Sequence, residues 1–206
     1  MAGPGGIDFY AELKGWQTAI GSILGFFALV IGALFNFRLN RRRDALLRNE
    51  ESVAAAVALY GEILLLRKEL ARLAREVAAI YIREGTSRVT KTGFDAHLLQ
   101  RHPISEPLLY KALASKIGLL DASLVRSITA FHNNCRETIS RLPLLMEDST
   151  RDYTYGAEYV LIPACAAVHE VMPALRKIEQ LAGIQEKAEP IDTGRAEDVI
   201  DMQDHE

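Results

Sequence analysis

The sequence predicts an all-α protein: a single N-terminal transmembrane helix, then a long helix and a three- or four-helix cytosolic bundle. Three observations carry the prediction. No ionisable residue falls between Lys14 and Arg38. No proline interrupts the stretch from Arg41 to Glu84, where alanine, leucine, glutamate and arginine dominate and apolar residues recur at spacings of three and four. Two further helical patterns follow, separated by turn-forming residues. Composition narrows the field. With 49% hydrophobic and 25% charged residues over 206 positions, the chain is too apolar to be disordered. Two cysteines cannot build a disulfide scaffold, and a formal charge of −3 gives no basic excess for nucleic acid.

Gly15 to Phe37 form the predicted span, 23 residues rich in Ile, Leu, Phe, Ala and Val. About 20 apolar helical residues cross a hydrocarbon core of about 30 Å. Trp16 stands where an interfacial indole is favoured, and Asn36 and Arg38 close the other end. A cleaved signal peptide fits poorly. Asp8 and Glu12 outweigh Lys14 before the span, the apolar run is longer than the roughly 7–15 residues of a signal core, and Gly32-Ala33-Leu34-Phe35-Asn36 is a poor cleavage site. The segment therefore reads as a retained anchor, with residues 1–14 as a short extracytoplasmic N-terminus. Arg38, Arg41, Arg42 and Arg43 crowd the C-terminal flank. The positive-inside rule places them, and residues 38–184, on the cytoplasmic side of the inner (plasma) membrane. There each arginine would gain about 1 kcal/mol from anionic headgroups. Gly21, Gly25, Ala28 and Gly32 make a stripe of small residues at helical spacing. Such stripes let helix backbones approach closely in lipid, and this one predicts a homodimer through the span.

In the long helix, Leu59, Ile63, Leu66, Leu70, Leu73, Val77 and Ile80 form a seam of three heptads. Val57, Tyr60, Leu64, Ala74 and Tyr81 widen it beyond a two-stranded coiled-coil stripe, as a helix packed into a bundle requires. Gly85 is the expected C-terminal cap. Residues 85–104 read as a connection with a short helical piece from Phe94 to Gln100. Ser105 is expected to cap a short helix carrying Leu108, Leu109, Ala112 and Ile117, stopped by Gly118. Asp121 caps the next helix, of about 22 residues, in which Leu124, Ile128, Phe131, Cys135 and Leu142 keep the seam and Thr138 is its polar exception. Pro143 ends or kinks it. Met146 to Thr150 is a polar turn. The last helix is expected from about Tyr153 to Leu181, carrying Leu161, Val168, Val171, Leu175 and Ile178. Pro163 and Pro173 predict kinks near 159 and 169, or a start only around 162. From 185 to 206 eight acids face only Lys187 and Arg195, which predicts an acidic disordered tail.

Catalytic signatures are lacking: there is no Gly-rich phosphate loop, no His-Glu-x-x-His and no Gly-x-Ser-x-Gly. Glu62, Glu69 and Glu76 recur every seven residues without the Glu-x-x-His of di-iron bundles, and read as a solvated, salt-bridged face. One constellation carries chemistry. His132 and Cys135, and Cys165 and His169, are pairs at helical spacing that could meet as a tetrahedral zinc site between neighbouring helices. Against it, both cysteines fall on core seams, where free cysteine is an ordinary small hydrophobe.

The phrase from Pro107 through Tyr110 to Lys116-Ile117-Gly118-Leu119-Leu120, followed by a helix bearing Phe131, resembles uncharacterised bacterial single-span inner-membrane proteins with a helical cytosolic domain. The likeness is one of architecture and implies no activity and no site residue. The expected role is a non-enzymatic scaffold, assembly or regulatory protein, without cofactor, acting through the membrane, a homodimer and an as yet unknown protein partner. The alternative is a metal-binding sensor or enzyme built on the Cys/His cluster.

Overall fold

The computed structural model describes residues 9–84, 94, 97–146 and 156–203. Described residues are helical or irregular, with no strand among them: α1 (Phe9–Glu84), α2 (His97–Arg101), α3 (Leu108–Ala112), a 3₁₀ turn (Ile117–Leu119), α4 (Ala122–Met146), α5 (Glu158–Glu170), α6 (Met172–Ala182) and α7 (Ala196–Gln203). The chain divides into two compact units, Met1–Asn49 and Glu50–Glu206. The Gly85 cap, the turn residues from Thr86 to Thr92, the turn at 147–150 and the helix start at Tyr153 lie outside the described residues.

In the first unit, every side chain described from Lys14 to Asn49 is exposed. Those of Ile20, Leu24, Phe27, Ile31 and Leu34 find no cover. Local contacts are confined to neighbours along α1: Phe26 meets Phe27 edge-on at 6.2 Å, and the Arg41 guanidinium lies over the Phe37 ring at 5.7 Å.

The second unit has a core of its own. All seven predicted seam residues of α1, Leu59 to Ile80, are buried. They pack against Leu124, Ile128, Phe131 and Cys135 of α4, Val168 of α5 and Leu175 and Ile178 of α6 in one cluster, and against Leu142, Val160, Leu161 and Val199 in a second. Val57, expected on the same face, is exposed. Asp121 begins α4 as expected, its carboxylate accepting from Ser123 N–H at 2.9 Å and Ser123 O–H at 2.6 Å. The helix passes through Pro143 to Met146. Thr138 satisfies its buried hydroxyl by donating to the Asn134 carbonyl, which makes it tolerable on the seam. Lys177 on α6 donates to Asp121 at the start of α4, and Arg141 near its end donates to the Tyr159 carbonyl on α5, so α4 runs antiparallel to α5 and α6. That second bond has a local cause. Tyr159 precedes Pro163 by four residues, and proline offers it no N–H. The predicted final helix breaks at Val171, two residues before Pro173, into α5 and α6.

Two expectations are corrected. Ser105 does not cap α3: Pro107 precedes that helix, and α3 ends at Ala112, short of Gly118. Residues 185–203, expected as part of a disordered tail, are a strap followed by α7. Gly183, in the left-handed region at φ 65°, ends α6 and turns the chain, with Ile184 N–H donating to the Glu179 carbonyl at 2.9 Å. The following strap is then held by its backbone. Glu179 accepts Ala188 N–H at 2.6 Å, Arg176 donates to the Ala188 carbonyl at 2.7 Å, and Arg67 donates to the Glu189 carbonyl at 2.7 Å. Gly194, at φ 64°, passes so close to α1 that a Cβ there would meet Arg75 Cγ at 3.0 Å. In α7, Ala196 and Val199 are buried while Glu197, Asp198 and Asp201 stay exposed. Acidic composition suggested disorder because it conceals this apolar face, and because the strap is captured through main-chain groups that no composition records.

Removing residues 185–206 would strip the carbonyl and amide partners from Arg67, Arg176 and Glu179, at about 1–3 kcal/mol per buried group left unpaired. A truncation after Ile184 should therefore melt roughly 6–12 °C lower than the full chain, for a loss of about 3 kcal/mol. Circular dichroism in mild detergent reads this directly, and an unchanged midpoint would mean the strap and α7 are dispensable.

Candidate functional site

Glu62 and Glu69 stand two turns apart on α1 and do not form the solvated face expected of them. Glu62 is buried, and its carboxylate accepts the backbone N–H of Leu109 at 2.6 Å and of Tyr110 at 2.9 Å. Glu69 accepts from Ser105 N–H at 2.7 Å and Ser105 O–H at 2.8 Å. Seven-residue spacing gives α1 two carboxylates at a separation that grips both ends of the 105–110 segment. A segment too short to be a stable helix alone is thereby fixed against α1.

That clamp positions Tyr110. Its ring stacks on the His132 imidazole at 3.9 Å between centroids and 24° between planes, while Phe131 meets the same imidazole edge-on at 5.1 Å. His132 is buried, and neither ring nitrogen has a hydrogen-bond partner. Its Nε2 lies 3.8 Å from Glu62 Oε1, beyond hydrogen-bond length. Burial pushes the imidazole pKa down to about 4, so at neutral pH His132 is uncharged and the contact is not an ion pair.

Between α4 and the clamped segment lies a cavity of about 380 Å³. Buried Leu66, Cys135 and His132, half-buried Ile104 and Tyr110, and exposed Ile139 line it. Lys111, Thr129 and Arg136 form an exposed polar rim. Lys111 is paired with Glu106. Arg136 donates to the Asn133 amide oxygen at 2.7 Å, and no carboxylate among the described residues pairs with it.

The four Cys/His candidates separate. His132 and Cys135 face α1 and Tyr110. Cys165 and His169 face the C-terminal segment, where His169 Nε2 lies 3.3 Å from Thr193 Oγ1 and 3.5 Å from Glu197. Cys135 and Cys165 belong to different core clusters. Among the described residues no three of His, Cys, Asp and Glu gather to hold a metal. Burial raises both thiols, Cys135 to about 12 and Cys165 to about 11, so neither is a thiolate at neutral pH. Helical spacing placed each pair on one face but could not say that the two faces turn to different neighbours. Gly21, Gly25, Ala28 and Gly32, with Trp16, Arg38, Arg41, Arg42 and Arg43, all lie on exposed α1, and a Cβ at any of the three glycines would meet nothing within 4 Å.

Sequence reasoning read Glu62 and Glu69 as a solvated face and gave no role to Tyr110, Arg136 and Arg67. Only the carboxylates left a legible trace, their seven-residue repeat. Arg67 stands at the start of the charged Arg67-Lys68-Glu69 stretch, where nothing in the sequence marks it as buried. No protein family, curated protein or solved structure matches this chain.

The His132 shift has a defined sign. Its folded pKa lies below the ordinary value of 6.5, so the unfolded chain takes up the proton first as pH falls. Stability is full above about pH 6.5 and is lost down to about pH 4, on the order of 3 kcal/mol in all. Thermal melts across that window should slope more steeply for the native chain than for His132→Phe, which keeps an aromatic ring against Tyr110. Equal slopes would assign the acid sensitivity elsewhere.

Proposed function

We propose that this chain is a single-span membrane protein whose helical domain, residues 50–206, is presented at the cytoplasmic face as a non-catalytic scaffold or regulatory module. The observation that carries this reading is the contrast between the two units. From Gly15 to Phe37 large apolar side chains stand exposed with nothing to cover them, whereas the second unit buries its own seam. Exposed apolar surface on that scale needs lipid or protein around it. Two stretches, Lys14–Arg83 and Glu158–Ala182, are long and apolar enough to cross a membrane, but 56% of the most apolar window in the second is buried against the domain and 0% in the first. The second is a core helix pair by this criterion. Arg38 to Arg43 orient the span with the N-terminus outside. The un-ionised thiols and the separated Cys/His pairs favour an interaction role over the metal or nucleophile alternative.

Topology is readable with a membrane-impermeant maleimide, because the two native thiols are buried. Ala2→Cys should label in intact cells and Arg48→Cys only after lysis. The reverse pattern would overturn the orientation, and release of the chain by alkaline carbonate would overturn the span itself. Pairing through the small-residue stripe is tested by Gly21→Ile with Gly25→Ile, which should lower the crosslinked dimer fraction in native membranes. An unchanged dimer fraction would remove the stripe as its cause. Affinity capture from the same crosslinked membranes tests the scaffold role: a stoichiometric second protein is the expected product, and self-crosslinks alone would count against it.

A further inference from the structure

We propose that the cavity between α4 and the clamped 105–110 segment is a binding site for a small amphipathic monoanion, an apolar planar or short aliphatic body carrying one carboxylate. Its volume, about 380 Å³, falls in the range of small-molecule sites, roughly 300–1,000 Å³. Leu66 and Ile104 give it apolar lining, and Ile139 adds apolar surface at the exposed rim. Two aromatic faces reach it as well, the stacked Tyr110 and His132. An apolar body fits there.

The polar end is set by three side chains. His132 lines the cavity and keeps both ring nitrogens unpaired although it is buried, and a polar ligand atom would relieve such a group. Arg136 stands at the rim with a neutral amide as its partner and no carboxylate paired with it among the described residues. A guanidinium in that position is the natural seat of a carboxylate, whose two oxygens match its paired donors. Lys111, already engaged by Glu106, adds positive potential without competing for the same position. A cation is disfavoured by Arg136, and a dianion exceeds its single charge. The wall is also conditional: Tyr110 stands where it does because Glu62 and Glu69 hold its backbone segment, so cavity shape is coupled to α1. The inference is separate from the membrane reading, since the cavity lies wholly within residues 50–206 and its test reads binding rather than location.

The test is isothermal titration of the full chain in neutral detergent with 2-naphthoate, and with naphthalene-2-carboxamide as the uncharged counterpart, each against detergent blanks. Saturable binding of 2-naphthoate at one per chain is expected. Arg136→Gln should weaken it about three- to tenfold while leaving the carboxamide unchanged. Thr129→Trp and Ile139→Trp, at two separate exposed rim positions, should each abolish binding by filling the mouth, with melting curves reporting that the fold is kept. Absence of saturable binding to the native chain would overturn the proposal. So would binding that survives both tryptophan variants, which would locate the ligand in micelle or elsewhere. Equal loss for acid and amide in Arg136→Gln would overturn the anion preference.

Discussion

Arg67 sits on the core-facing side of α1 at 1% exposure, with no carboxylate paired to it among the described residues. Taking a guanidinium out of water costs several kcal/mol unless its donors are met. Here carbonyls meet them: Nε donates to Val168 on α5 and Nη1 to Glu189 in the strap, both at 2.7 Å. Burial, and then the nearby charge of Arg176, lower the Arg67 pKa from its ordinary value. One side chain thereby fixes three parts of the chain relative to one another, and it requires that the segment after α6 return across α1. Nη2 remains without a partner, so the arrangement is satisfied in geometry but not completely.

A second polar group works beside it. Tyr60 on α1 donates to Glu179 on α6 at 2.9 Å, and Glu179 also receives Arg176 and the Ala188 amide. Burial pushes the Glu179 carboxyl up, but the Ala188 N–H, Arg176 and Tyr60 together hold it below its ordinary value. Tyr60 responds in the opposite sense, raised by burial and by the carboxylate it faces. Such networks specify one arrangement of packed helices, because any slip leaves a buried polar atom unpaired. At the other side of α1, Glu62 and Glu69 apply the same device to the 105–110 segment. The helix thus has an apolar seam that supplies most of the burial and four polar side chains that decide what lies against it. Both the strap and the cavity wall are consequences of those four.

The two units solve different solvation problems. The second is closed on itself: seams from α1, α4, α5 and α6 meet, and the acidic segment covers what remains with Ala188, Ala196 and Val199. The first is a stretch of α1 whose large apolar side chains stand exposed, with charge confined to its two ends.

The sequence by itself determined the helices and their inward faces. Three-four spacing along Leu59 to Ile80, and from Leu124 to Leu142, is a property of local periodicity, and every one of those residues is buried. The Asp121 cap was legible because capping is a contact between near neighbours. Proline at 173 marked the break at Val171 for the same reason, whereas α5 runs through Pro163. What only the tertiary structure decided were relations between residues far apart in the chain. Glu62 reads as a surface carboxylate until the amides of Leu109 and Tyr110 arrive. The 185–203 segment reads as disordered until Arg67, Arg176 and Glu179 take hold of its backbone. The Cys/His pairs read as one cluster until α4 and α5 turn them to different neighbours. Periodicity fixes which way a side chain faces relative to its own helix axis. Hydrogen bonds to main-chain groups depend on which segment is brought opposite, and backbone amides and carbonyls are the same in every residue but proline.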